Sequence, residues 1–66
     1  MLVIVNSEPR DLEPGTTVGQ LLAQLGLDKA ICAAEVNREV VPRRERDGRE
    51  LREGDTVEVV TLVGGG

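Results

Sequence analysis

Thr56-Val57-Glu58-Val59-Val60-Thr61-Leu62-Val63 is the longest unbroken β signal in the chain, and it runs directly into Gly64-Gly65-Gly66. Its residues are β-branched or aliphatic apart from Glu58, which suits a pleated, half-buried strand. Side chains alternate across a strand, so with Val57 and Val59 pointing into a core, Glu58, Val60 and Leu62 point away from it. The turn Glu53-Gly54-Asp55 starts this strand, and the glycines end it. A glycine run has no side chain to bury and loses more conformational entropy than any other residue when ordered, so it does not serve to dock a terminus. Residues 1–63 therefore read as one folded domain and residues 64–66 as a flexible tail with a free carboxylate on Gly66.

Working outward, residues 2–5 form a second aliphatic run, closed by the turn formers Asn6-Ser7-Glu8-Pro9. Arg10-Asp11-Leu12-Glu13 reads as a returning, mostly solvent-facing strand before Pro14-Gly15 breaks the chain, which makes a hairpin. Thr17 and Gln20 stand at capping-box spacing, and Val18, Leu21, Leu22 and Leu25 follow at i, i+3, i+4 and i+7. Gly26 sits where a left-handed C-terminal cap is wanted, so the spacing predicts a helix over about residues 18–25. Residues 31–36 resume extended character, Asn37-Arg38-Glu39 reads as a turn, and Val40-Val41 as a short strand stopped by Pro42. Residues 43–50 are nearly all charged and read as a surface loop with a turn at Asp47-Gly48; Leu51 is its one apolar anchor.

The expected order is β-β-α-β-β-β. That order implies an α+β fold, a mixed sheet of four to five strands packed on one helix, with the first and last strands side by side and parallel. At 66 residues the chain buries only about 60% of its unfolded surface, and without Phe, Tyr or Trp its core is built from Val, Leu, Ile and Ala.

Composition removes several functions. The net charge of −4 comes from interspersed charges with no basic block, which speaks against nucleic acid as a partner; Arg43-Arg44-Glu45-Arg46 reads as a solvated loop rather than a phosphate site. The opening apolar run is too short for a signal sequence and nothing spans a membrane. A single cysteine, Cys32, fits a reducing cytoplasm. With no histidine, His-based catalysis and His metal sites are excluded. Cys32 has no Cys-x-x-Cys partner, which leaves a core position or a redox or sulfur-handling role. Glu53 and Asp55 flank a glycine, first a turn signature and otherwise a sparse calcium site. The chain shows no active site of its own, and the tail remains: three residues without Cβ can extend through a channel too narrow for side chains and deliver a carboxylate into another protein's active site. A carboxylate is a poor electrophile, so acyl transfer from it needs activation, for which ATP is the usual means. The competing reading is a frayed terminus.

The chain is similar over its full length to the ThiS/MoaD family of ubiquitin-like sulfur carriers, and to its thiamin-biosynthesis branch in particular. The resemblance rests on the opening strand over residues 1–6, Thr17-Val18-x-x-Leu21-Leu22, Val36-Asn37 followed by Val40-Val41-Pro42-Arg43, Glu53-Gly54-Asp55, and the terminal Gly65-Gly66. It implies a β-grasp fold. It implies further that a ThiF-like adenylyltransferase uses ATP to adenylate Gly66, that a sulfur-donating desulfurase or sulfurtransferase supplies sulfur for a terminal thiocarboxylate, and that thiazole synthase (ThiG-like) receives it. The chain itself would bind no cofactor or metal. Gly64 and Gly65 would thread the partner's active site, and Leu2, Ile4, Glu58, Val60 and Leu62 would face the partner. For these side chains, strand propensity with partial burial is the other reading. Two other functions share the tail, a sulfur carrier for molybdopterin synthesis and a ubiquitin-like modifier conjugated to proteins through Gly66; a passive interaction domain would not need it.

Overall fold

In the computed structural model, which describes residues 1–61, five strands and one α-helix follow each other as β1 (Leu2–Val5), β2 (Glu8–Asp11), α1 (Val18–Gln24), β3 (Cys32–Val36), β4 (Glu39–Val40) and β5 (Thr56–Thr61). A short 3-10 helix, Arg43–Glu45, precedes β5. The sheet runs β2-β1-β5-β3-β4, with β1 and β5 parallel and the other neighbours antiparallel. A parallel pair cannot be closed by a hairpin, so the chain between β1 and β5 has to cross over, and α1 lies in that crossover. This is the β-grasp arrangement of a mixed sheet wrapped over one helix.

One face of the sheet and one face of α1 make the core. Val3, Val18, Leu21, Val36 and Val57 are completely buried, joined by Val5, Leu22, Ala34, Val59 and the loop anchors Leu12, Val41 and Leu51. The alternation expected for β5 holds from Thr56 to Val60, where Val57 and Val59 are buried while Thr56, Glu58 and Val60 are exposed; Thr61, in step with Val57 and Val59, is exposed. Leu62 and Val63, expected in the same strand, lie outside the described residues, as do Gly64, Gly65 and Gly66.

The hairpins are tighter than the turn-forming residues indicate. The β1–β2 turn is Asn6-Ser7 alone, and β2 begins at Glu8 rather than at Arg10. Asn6 and Ser7 both take positive φ, 48° and 70°, the left-handed geometry of a two-residue turn whose twist matches that of the flanking strands. Pro9 is tolerated because β2 is an edge strand. Leu12 N–H bonds the Met1 carbonyl, which puts Arg10 and Glu8 at the hydrogen-bonding positions and turns the nitrogen of Pro9 outward. The β3–β4 turn repeats the geometry at Asn37 and Arg38, φ 52° and 69°, so Glu39 belongs to β4 and not to the turn.

Helix α1 carries the capping box expected from the sequence: Gln20 N–H bonds Thr17 Oγ1 at 3.1 Å and Thr17 N–H bonds Gln20 Oε1 at 3.0 Å. Gly26 has φ +76°, the left-handed residue just beyond the helix. The remaining first-turn donors are met by the charged loop, with Val18 N–H on the Arg49 carbonyl at 2.9 Å and Gly19 N–H on the Arg46 carbonyl at 3.0 Å. The loop over residues 43–50 is therefore more than a solvated excursion, because its backbone closes the start of the helix. A Cβ at Gly19 would meet the exposed Asp47 carboxylate, which would have to swing aside, while the loop backbone stays at ordinary contact distance.

Two substitutions separate these contributions. Leu21→Ala, at a fully buried site, is expected to cost about 2–5 kcal/mol. Thr17→Ala, which removes the box, is expected to cost about 1 kcal/mol. Urea unfolding followed by far-ultraviolet circular dichroism measures both, a suitable probe for a chain without aromatic residues. Equal losses would show that the cap and not the core holds α1.

Candidate functional site

The sheet face opposite α1 is open. Its rows follow from the registers: Asp11 and Leu2; Pro9, Ile4 and Thr56; Glu58, Glu35 and Val40; Val60 and Ala33. Leu2, Glu58 and Val60 are exposed and Ile4 is half-buried, all on this face as alternation requires. The register separates them into two groups. Ile4 stands beside Thr56, and Val60 is four residues further along β5, ~13 Å at strand rise. Leu2 and Ile4 thus occupy one end, while Val60, 60% exposed, lies beside Ala33 at the end that leads to residues 62–66. The position of Leu62 is outside the described residues.

Between the two groups lie Glu35 and Glu58, directly opposite each other across β3 and β5. Like charges at facing positions repel. Among the described residues neither carboxylate pairs with a Lys or Arg side chain, the one ion pair being that of the Met1 amino group with Asp11. Val40, 66% exposed on β4, flanks Glu35. Glu35 and Val40 were not legible as site residues, because their membership of this face depends on register. The result is a face with an acidic centre and apolar flanks.

Elsewhere several polar residues hold the fold through side-chain hydrogen bonds. Asp55 accepts from Asn37 Nδ2 at 3.0 Å and from Arg52 N–H at 2.9 Å, and Glu53 accepts from Leu2 N–H at 3.0 Å. These carboxylates shape the turn at Gly54, and among the described residues no group of three or more Cys, Asp or Glu side chains is placed to hold a metal. Cys32 is half-buried against the core. Arg46 donates to its carbonyl at 2.6 Å and lies 3.8 Å from Sγ, tying the charged loop to β3. Arg46 is the exception to the solvated reading of residues 43–46.

What the fold presents on this side is an open face that ends, in the described residues, at Val60 and Ala33. The ThiS family model matches residues 3–66, nearly the whole chain. The chain belongs to the ThiS family.

Individual relatives agree. The chain is 42% identical over 65 residues to the sulfur carrier protein ThiS of Thermus thermophilus, covering 98% of this chain and all of that one. It is 36% identical over 66 residues to the thiazole synthase of Paramagnetospirillum magneticum. There the match takes in this whole chain but only 20% of the synthase, so the chain spans a fifth of that relative's length. Among solved structures, the ThiS thiamine biosynthesis protein of Geobacter metallireducens superposes with a TM-score of 0.83 at 32% identity, with full coverage of both chains. The fold and the family expected from the sequence are thus the ones found. No helix among the described residues is long and apolar enough to cross a membrane.

The open face makes a stability prediction. Glu35→Gln removes the facing like charge and is expected to raise stability by about 0.2–1 kcal/mol at low salt. Val60→Thr, which keeps a β-branched side chain at an exposed position, is expected to change it by no more than about 0.5 kcal/mol. A large loss for Val60→Thr in urea unfolding would place Val60 in the core.

Proposed function

We propose that this chain is the sulfur carrier for thiazole formation in thiamin biosynthesis, and that its working group is the carboxylate of Gly66. The carboxylate oxygen attacks the α-phosphorus of ATP on a ThiF-like adenylyltransferase, releasing pyrophosphate and leaving an acyl-adenylate. Sulfur that originates from cysteine, carried as a persulfide on a desulfurase or sulfurtransferase, then displaces AMP to give an acyl disulfide. A thiol reductant cleaves its S–S bond, forming a disulfide with the donor enzyme's sulfur and leaving a terminal thiocarboxylate. Thiazole synthase accepts that sulfur. In this scheme the chain is a co-substrate of its partner enzymes and binds no cofactor itself, ATP being held by the activating enzyme. The reaction is placed in the cytoplasm, where Cys32 stays reduced.

The observation that carries this reading is the family match through residue 66, the last of the three glycines. Supporting it, a relative named thiazole synthase contains a stretch similar to this whole chain within its own polypeptide. Gly64 and Gly65 have no Cβ, so they suit passage through a narrow entrance, and the acidic, apolar-flanked face beside Val60 suits docking. Leu2, Ile4, Glu58, Val60 and Leu62 are proposed as partner-facing residues, extended now to Glu35 and Val40.

Gly65→Val tests the tail without touching the described fold. With the adenylyltransferase of the same organism, the wild-type chain is expected to support exchange of labelled pyrophosphate into ATP. Gly65→Val is expected to lose that exchange while keeping its unfolding midpoint. Equal exchange by both proteins would refute the narrow-entrance argument.

A further inference from the structure

Strand β5 is longer than the strand it pairs with on one side. Its parallel register with β1 covers Thr56 and Val57 only, whereas its antiparallel register with β3 continues to Thr61. The backbone groups of β5 divide by parity. Asn37 N–H bonds the Thr56 carbonyl, so Thr56, Glu58 and Val60 address β3; Ile4 N–H bonds the Asp55 carbonyl and Asn6 N–H the Val57 carbonyl, so the odd residues address β1. Chain β1 stops there, turning away at Asn6 and Ser7 in left-handed conformations. The Asn6 side chain takes the next donor, Val59 N–H, at 2.8 Å. Beyond it, the same parity turns the Val59 carbonyl and the Thr61 N–H away from β3, toward the side on which β1 has already ended. Thr61 is exposed.

We propose that this overhang of β5 is a strand-addition site, filled by an extended segment of thiazole synthase, a proposal that rests on the carrier reading above. An unpaired strand edge is completed by another strand through main-chain hydrogen bonds, with side chains adding selectivity. The outer face beside the edge presents Val60 and, one pleat earlier, Glu58 facing Glu35. The incoming segment therefore carries an apolar residue at the level of Val60 and a Lys or Arg near Glu58. A second copy of this chain is the poorer occupant, because each copy has a net charge of −4 and would bring its own Glu35 and Glu58. Thiazole synthase is the fitting source of the strand, since a relative carries the two in one polypeptide.

Amide exchange on the isotope-labelled chain, alone and with unlabelled thiazole synthase of the same organism, tests the proposal. The Thr61 amide is expected to exchange about tenfold or more slowly in the complex. The Asp11 amide, which faces the open edge of β2, is expected to keep its rate. In the same complex Thr61→Pro, which removes the outward N–H and spares the β3 side, is expected to weaken binding about five- to tenfold, while Thr61→Val stays near wild type. A complex in which the Thr61 amide exchanges at its free rate overturns the strand-addition site and leaves the carrier reading standing. Absence of any complex overturns both. Should Thr61→Pro fail to fold, the exchange rates of the wild-type chain decide.

Discussion

Everything in this fold hangs on the parallel pairing of β1 with β5, which brings a strand near the start of the chain against one near its end. The pair is short, Ile4 with Thr56 and Val5 with Val57, and its hydrogen bonds include Ile4 N–H to the Asp55 carbonyl at 2.9 Å and Asn6 N–H to the Val57 carbonyl at 2.9 Å. Because parallel neighbours require a crossover, α1, β3 and β4 are carried in the connection, and their apolar faces close on Val3 and Val57. The turn at Gly54 sets the start of β5 through Asp55 and Glu53, and Asn37 ties the second hairpin to the same point. The direction of β5 follows from these contacts.

A domain this small keeps little stability in reserve, so two features that cost stability point to something other than folding. One is the facing pair Glu35 and Glu58, unpaired at the centre of the open face. The other is the overhang of β5, whose outward groups are left without a strand while Asn6 satisfies only Val59 N–H. The first lies mid-strand on the open face and the second at the Thr61 end of β5, and both involve the strand that closes the described chain. Local conflict of this kind in an otherwise consistent fold marks positions that folding alone does not account for.

Much of this was legible in the sequence, for identifiable reasons. The helix was readable because its signals are local: Thr17 and Gln20 at capping-box spacing, Gly26 at the left-handed position, and the stripe of Val18, Leu21 and Leu22. The parallel pairing of first and last strands followed from the order of elements. The hairpin boundaries were missed because Pro9 and Glu39 read as turn residues; only an edge position with an outward-facing nitrogen makes Pro9 acceptable in β2. The capping of α1 by the carbonyls of Arg46 and Arg49 left no trace, since backbone acceptors have no side-chain signature. Outward-facing Leu2, Ile4 and Val60 were readable from alternation, but their division into two groups, and the presence of Glu35 and Val40 on the same face, depend on register between strands distant in sequence.

The central claim is that this scaffold presents a terminal carboxylate for sulfur loading. Mass spectrometry of the intact chain, after incubation with the cognate adenylyltransferase, ATP and a cysteine-derived sulfur donor, tests it most directly. The account predicts replacement of one oxygen by sulfur, located by fragmentation at Gly66 and dependent on ATP. An unchanged mass under conditions in which ATP is consumed, or sulfur found on Cys32 instead of Gly66, would contradict it.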